Sequence, residues 1–118
     1  VKPYGSWHQY GMAVDIVFQN SKGGPTWSKS SDCWDRLGRI GQEVGFEWGG
    51  SWTSFRDKPH FQMGGNYTSW RDAYSIYSQF AGAGRDVALS HVWRARRLGY
   101  SNWQEYYQYL RWTPLSRQ

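Results

Sequence analysis

Ser6-Trp7-His8-Gln9-Tyr10-Gly11-Met12-Ala13-Val14-Asp15, followed further along by Asp57-Lys58-Pro59-His60, is the part of the chain that says most about its architecture. These stretches offer two imidazoles and a carboxylate as candidate metal ligands, and a second carboxylate, Asp57, stands just ahead of the last imidazole. A catalytic zinc takes three protein ligands of N or O type and keeps its fourth position for water or substrate. A nearby carboxylate that is not a ligand can then act as general base towards that water.

Local geometry is compatible with such a cluster. Met12 to Phe18 reads as a strand with Val14, Ile16 and Phe18 on one face and Ala13, Asp15 and Val17 on the other. A carboxylate on a face shared with Ala and Val needs a partner, because an unpaired buried charge is costly. A metal, an arginine or a set of backbone amides would each serve, and the residues alone leave these open. Gly11 permits a tight backbone approach that lets His8 fold back over the strand. Pro59 biases Lys58 towards extended backbone, so His60, Phe61 and Gln62 are expected to open a second strand, with Asp57 at its entrance.

Between these blocks, Gln19 to Lys29 is a loop by its Gly, Pro and Ser content. Ser31 or Asp32 can cap a helix in which Trp34, Leu37, Ile40 and Val44 recur at helical intervals, and Gly45 ends it. Cys33 is expected as a small helix-buried side chain. Trp48 to Phe55 is rich in Gly and aromatics and suits a turn or hairpin leading into Asp57. Beyond Gln62, Met63 to Asn66 is a breaker, and three helices are expected. The first is capped by Thr68 or Ser69 and runs through Phe80, the second covers about Asp86 to Leu98 and is closed by Gly99, and the third is capped by Ser101 or Asn102 and covers about Trp103 to Trp112. The expectation is an α+β fold, a small antiparallel sheet carrying a zinc site and flanked by helices, with residues 1–65 as the core. Residues 66–118 are expected to form a helical C-terminal extension packed on it as one domain.

The run Ser6-x-His8-x-x-Gly11-x-Ala13-x-Asp15, then Gly45-Phe46-Glu47-Trp48-Gly49-Gly50-x-Trp52, then Asp57-x-Pro59-His60-Phe61, resembles the VanY/endolysin-type zinc peptidases. These D-alanyl-D-alanine carboxypeptidases and L-alanyl-D-glutamate endopeptidases cut the peptide stems of bacterial peptidoglycan. The resemblance covers about Pro3 to Gln62 and keeps the family's block order. It implies Zn²⁺ held by His8, Asp15 and His60, with Asp57 as catalytic base. Glu47 ranks second for that role, because the family places its base three residues before the last histidine. Trp48 and Trp52 would shape the cleft wall, and Ser6 would support the metal site or line the substrate groove. Family members also carry a substrate-binding arginine well upstream of the first histidine. Here the chain starts at Val1, so that segment is expected to be missing, with Arg56 or Arg36 as conceivable stand-ins.

Composition narrows the rest. The chain has 118 residues, a length that suits one domain with a modest core. Its single cysteine excludes an internal disulfide. No stretch approaches the roughly 20 apolar residues that span a bilayer. There are 9 Trp, 9 Tyr and 5 Phe, more than a small core requires, so some can line a groove for sugars or peptide stems. A net charge of +5 favours approach to an anionic polymer, either cell wall or nucleic acid. From Arg85 onward the arginines 85, 94, 96, 97, 111 and 117 face only Asp86 and Glu105. They are read as solvated positions on packed helices rather than as a nucleic-acid surface, and His91 as a packed or surface histidine rather than a fourth ligand. The function implied is a peptidoglycan endopeptidase, with D-alanyl-D-alanine carboxypeptidase action or a non-catalytic cell-wall-binding module as the alternatives. The expected partners are stem peptides, with no specific nucleic acid and a monomer favoured. The expected place of action is the bacterial cell wall, periplasmic or extracellular, and a phage-encoded protein released by a holin also fits.

Overall fold

The computed structural model describes residues 4–114; Pro3 and Arg117, named above, lie outside them. The chain divides into two compact units, residues 11–63 and residues 1–10 with 64–118. The fold is α+β, and no described helix is long and apolar enough to cross a membrane.

Residues 11–63 carry β1 (Ala13–Asp15), β2 (Phe18–Gln19), β3 (Pro25–Thr26), α1 (Ser31–Glu43), β4 (Glu47–Trp48) and β5 (His60–Gln62). β5 is the middle strand of an antiparallel sheet ordered β1-β5-β4. Its register sets Asp15 opposite His60, Val14 opposite Phe61, Glu47 opposite Gln62 and Trp48 opposite Phe61. Residues directly opposite share a face, and so do alternate residues of one strand. The sheet therefore has a polar face with Asp15, His60, Glu47 and Gln62, and an opposite face with Phe61 and Trp48.

β1 is shorter than the strand expected from Met12 to Phe18. Ile16 N donates to Pro59 O at 2.8 Å, and Pro59 has no N–H to return the bond, so the ladder ends there. The chain then enters a hairpin inside the stretch expected as loop, with Phe18 paired to Thr26 and Gln19 to Pro25. The Asn20 side chain builds its turn by accepting from Lys22 N at 2.9 Å and from Gly24 N at 3.0 Å.

Ser30, rather than Ser31 or Asp32, caps α1, its Oγ accepting from Cys33 N at 3.4 Å. Gly45 takes a positive φ of 105° just past the helix, as its sequence position implies. The face that α1 buries differs from the apolar stripe. Trp34, Gly38 and Gly41 are buried, whereas Ile40 and Val44 are 57% and 63% exposed. A Cβ on Gly38 would collide with the Trp48 indole, and one on Gly41 with the Phe61 ring. Two interior glycines weaken a helix by about 1 kcal/mol each, and their positions are explained by this close approach. Cys33 is half-buried rather than buried, beside Phe18, Arg36, Leu37 and Ile40, which border an open apolar depression.

In the other unit, a 3-10 turn at Trp7–Tyr10 accompanies α2 (Trp70–Phe80), α3 (Arg85–Leu98) and α4 (Trp103–Trp112). Ser69 Oγ caps α2 through Arg71 N at 3.2 Å, and Asn102 Oδ1 caps α4 through Glu105 N at 3.0 Å. Gly99 closes α3 in the left-handed region, with φ 90°. The core is mostly tyrosine and small residues: Tyr10, Tyr67, Ala73, Ile76, Tyr77, Ala88, Val92, Ala95 and Tyr106 are buried. Each buried phenol needs a partner. Tyr10 donates to Tyr4 O at 2.6 Å, and Tyr67 to Val92 O at 2.7 Å. Burial pushes both phenols well above their usual range. His91 stacks on Phe80 at 3.7 Å, and its Nδ1 meets Tyr106 Oη at 2.7 Å. It is thus packed, in line with the sequence expectation.

Two predictions test this packing. Gly38→Ala is expected to lower the denaturant stability of the chain by about 1–3 kcal/mol, the strain of overpacking outweighing the gain in helix propensity; an unchanged or raised midpoint would refute the close approach to Trp48. His91 has its pKa lowered, first by burial and then by the Arg94 charge. The unfolded chain therefore binds the proton more readily, so the contribution of neutral His91 is complete above its ordinary pKa of about 6.5 and is lost as pH falls below it. Denaturation at about pH 7.5 and about pH 5.5 should show a larger acid loss in the native chain than in His91→Gln. Parallel losses would mean the ring titrates alike in both states.

Candidate metal centre

Because β5 pairs on both sides, its polar face collects side chains from three strands. His60 is 8% exposed, and its Nδ1 lies 3.5 Å from Asp15 Oδ1 on β1. On the far side, His60 Nε2 is 2.7 Å from Gln62 Oε1. Gln62 Nε2 donates to Glu47 Oε2 on β4 at 3.0 Å, and Trp52 Nε1 donates to the same oxygen at 3.0 Å. The Trp52 ring lies tilted at 5.4 Å from that of His60.

Asp15 and His60 each offer one ligand atom on this face, while His8, the third ligand that the motifs imply, belongs to the other unit. His8 belongs to the 3-10 turn, where Ser6 Oγ accepts from His8 N at 3.2 Å and Ser6 O accepts from Gln9 N at 3.1 Å. Two ligands at about 2.0–2.1 Å from a tetrahedral zinc stand about 3.4 Å apart, close to the spacing of Asp15 and His60. The donor set, two imidazoles and a carboxylate, is also one that zinc accepts readily. The chemistry of these residues fits a zinc ion.

Asp57 is exposed, and its main chain fixes its place in the turn that leads into β5. Its N donates to Gly49 O at 3.0 Å and its O accepts from His60 N at 3.1 Å. A Cβ on Gly49 would strike the Asp57 carbonyl, so only glycine fits there. Trp48 is buried on the opposite face of the sheet, where its Nε1 donates to Lys58 O at 2.7 Å and holds the same turn from behind. Of the two arginines considered above, Arg56 donates from Nε to Trp52 O at 3.0 Å, while Arg36 borders the apolar depression on α1.

Gln62 is the residue that the sequence reading missed, and Glu47, considered there only as a second choice of base, accepts from Gln62 and Trp52. Alternation places Gln62 on the face of His60, a signal available in the sequence. The register that brings Glu47 opposite was not.

Comparison with known proteins agrees with the motifs. The family described as D-alanyl-D-alanine carboxypeptidase matches residues 2–63. A peptidoglycan L-alanyl-D-glutamate endopeptidase, CwlK of Bacillus subtilis (strain 168), is 37% identical over 62 residues, which cover 47% of this chain and 37% of the relative. An L-alanyl-D-glutamate peptidase of Listeria phage A118 is 36% identical over 55 residues, 47% of this chain and 20% of the relative. The chain thus spans well under half the length of either.

Trp48→Phe keeps a ring against α1 but deletes the donor to Lys58 O. It is expected to cost about 1–3 kcal/mol of stability in denaturant unfolding. An unchanged midpoint would mean that this bond does not hold the turn.

Proposed function

Since the chain belongs to the D-alanyl-D-alanine carboxypeptidase family, the VanY/endolysin-type peptidases that its motifs resemble, we propose that it is a zinc-dependent peptidase of bacterial peptidoglycan. The bond we assign to it is L-alanyl-D-glutamate, because both relatives above are named for that activity. The observation that carries the reading is the 3.5 Å approach of His60 Nδ1 to Asp15 Oδ1, two of the three ligands that the motifs imply.

In this reading His8, Asp15 and His60 would hold the zinc, and Ser6 orders the turn that presents His8. Zinc, when bound, supplies a Lewis acid that makes a water more acidic and polarises the scissile carbonyl. Asp57 takes a proton from the attacking water, whose oxygen bonds to the carbonyl carbon. As the C–N bond breaks, Asp57 returns that proton to the departing nitrogen. The products are a carboxyl group on the alanyl side and an amine on the glutamyl side, and the carboxyl proton passes to the amine to leave a carboxylate and an ammonium group. Trp52, beside His60, lines the groove for the stem peptide, while Trp48 shapes it by fixing the 57–60 turn. The chain acts at the bacterial cell wall, and its basic surface draws it to that anionic polymer.

D-alanyl-D-alanine carboxypeptidase action is the second reading, favoured by the description of the matching family. Digestion of purified peptidoglycan with the zinc-loaded chain, beside a chelated control, separates the readings by mass spectrometry of the new termini. Chelator-sensitive release of L-Ala carboxyl ends and D-Glu amino ends is the expected result. Free D-Ala would install the second reading, and no release in spite of bound zinc would leave a cell-wall-binding module. Asp57→Asn should retain zinc while the rate falls by at least about 10²-fold. Full activity in this variant would remove Asp57 from its role.

A further inference from the structure

The hydrogen bonds around β5 contain a directional constraint that the zinc chemistry does not require to be there. Glu47 is a carboxylate and can only accept. Its Oε2 receives Gln62 Nε2 at 3.0 Å and Trp52 Nε1 at 3.0 Å. The amide nitrogen of Gln62 is therefore committed to Glu47, which turns the amide oxygen towards His60 Nε2 at 2.7 Å. A carbonyl oxygen only accepts, so His60 Nε2 must carry the hydrogen. Nδ1, the other ring nitrogen, is the atom 3.5 Å from Asp15 Oδ1.

We propose that Gln62 and Glu47 are positioning residues that fix a hydrogen on His60 Nε2 and so direct its Nδ1 to the metal. The inference rests on the zinc reading above for its purpose, but the fixed hydrogen is a property of the metal-free chain. A ligating histidine must present an unprotonated nitrogen, and the partner of its other nitrogen decides which one that is. The sheet supplies this partner by register, because Gln62 follows His60 on the same face of β5 and Glu47 stands directly opposite Gln62 on β4. Glu47 thereby has an occupation other than that of a base: its carboxylate already holds two donors, one of them from the indole that flanks His60.

The test begins without metal. Long-range ¹H–¹⁵N correlation spectra of the native chain should show His60 as the Nε2–H tautomer, and an Nδ1–H tautomer would overturn the proposal. Gln62→Leu removes the acceptor and is expected to release the tautomer. It should also raise the zinc dissociation constant, measured by competition with a chromophoric chelator, by about 10–100-fold. The double variant Glu47→Gln/Gln62→Glu reverses the direction of the bond between the two residues. It leaves a carboxylate to accept from His60 Nε2 and an amide to donate to it, so tautomer and zinc affinity should return towards native values. Far-ultraviolet circular dichroism and thermal unfolding establish that each variant is folded. Native affinity in Gln62→Leu, or failure of the double variant to recover, would make the network merely structural. If the native chain showed the predicted tautomer but bound no zinc, the fixed hydrogen would stand and the zinc reading would fall.

Discussion

The arrangement of the 11–63 unit depends on β5 being paired along both edges. A strand of three residues has little stability of its own, and here it gains ladder hydrogen bonds from β1 and β4 together with a buried phenylalanine. Pairing on both sides removes any freedom to slip, because a shift of one residue would move His60 to the core face and Phe61 to the solvent. Chemistry and packing are thus fixed by the same register. Phe61 anchors the strand to α1 from below while His60 and Gln62 point the other way, and neither face can be changed without affecting the other.

Close approach is the second constraint, and glycine provides it in two places. On α1, Gly38 and Gly41 let the helix backbone lie against the Trp48 and Phe61 rings, so bulky aromatic surface is buried where side chains would otherwise keep the layers apart. In the turn that precedes β5, Gly49 gives its carbonyl to both Trp52 N and Asp57 N, and only a residue without a side chain tolerates the Asp57 carbonyl so near. The Trp-Gly-Gly-x-Trp segment therefore serves both faces of the sheet. Trp48 goes into the core and Trp52 stands beside His60, with the glycines making the reversal between them.

The helical unit solves a different problem, that of burying many phenols. Tyr10 and Tyr67 lie in the core with their hydroxyls satisfied by carbonyls of the main chain, and Trp93 Nε1 donates to Tyr10 O at 2.9 Å. The last of these bonds fixes the end of the turn on which His8 sits. An aromatic that reaches a main-chain partner contributes burial and orientation together. This accounts for a part of the aromatic content that the composition alone could have assigned to a substrate groove.

The features legible before folding are local. Ser69, Asn102, Gly45 and Gly99 punctuate helices because capping depends on a few neighbouring atoms, and the helices beyond residue 66 are legible from these signals and their apolar spacing. The His8, Asp15, Asp57 and His60 pattern and the family it belongs to are legible too, since the motifs lie in short contiguous blocks. Tertiary structure decided what depends on partners distant in the chain. β1 stops at Asp15 because its neighbour presents a proline with no N–H, a fact invisible from Met12 to Phe18. The buried stripe of α1 runs through glycines because rings from β4 and β5 fill the space, so a search for apolar side chains selects Ile40 and Val44 instead. Glu47 meets Gln62, and Gln62 orients His60, only once the sheet has its register. Hydrogen-bond direction is a property of atoms brought within about 3 Å, and no spacing along the chain encodes that before it folds.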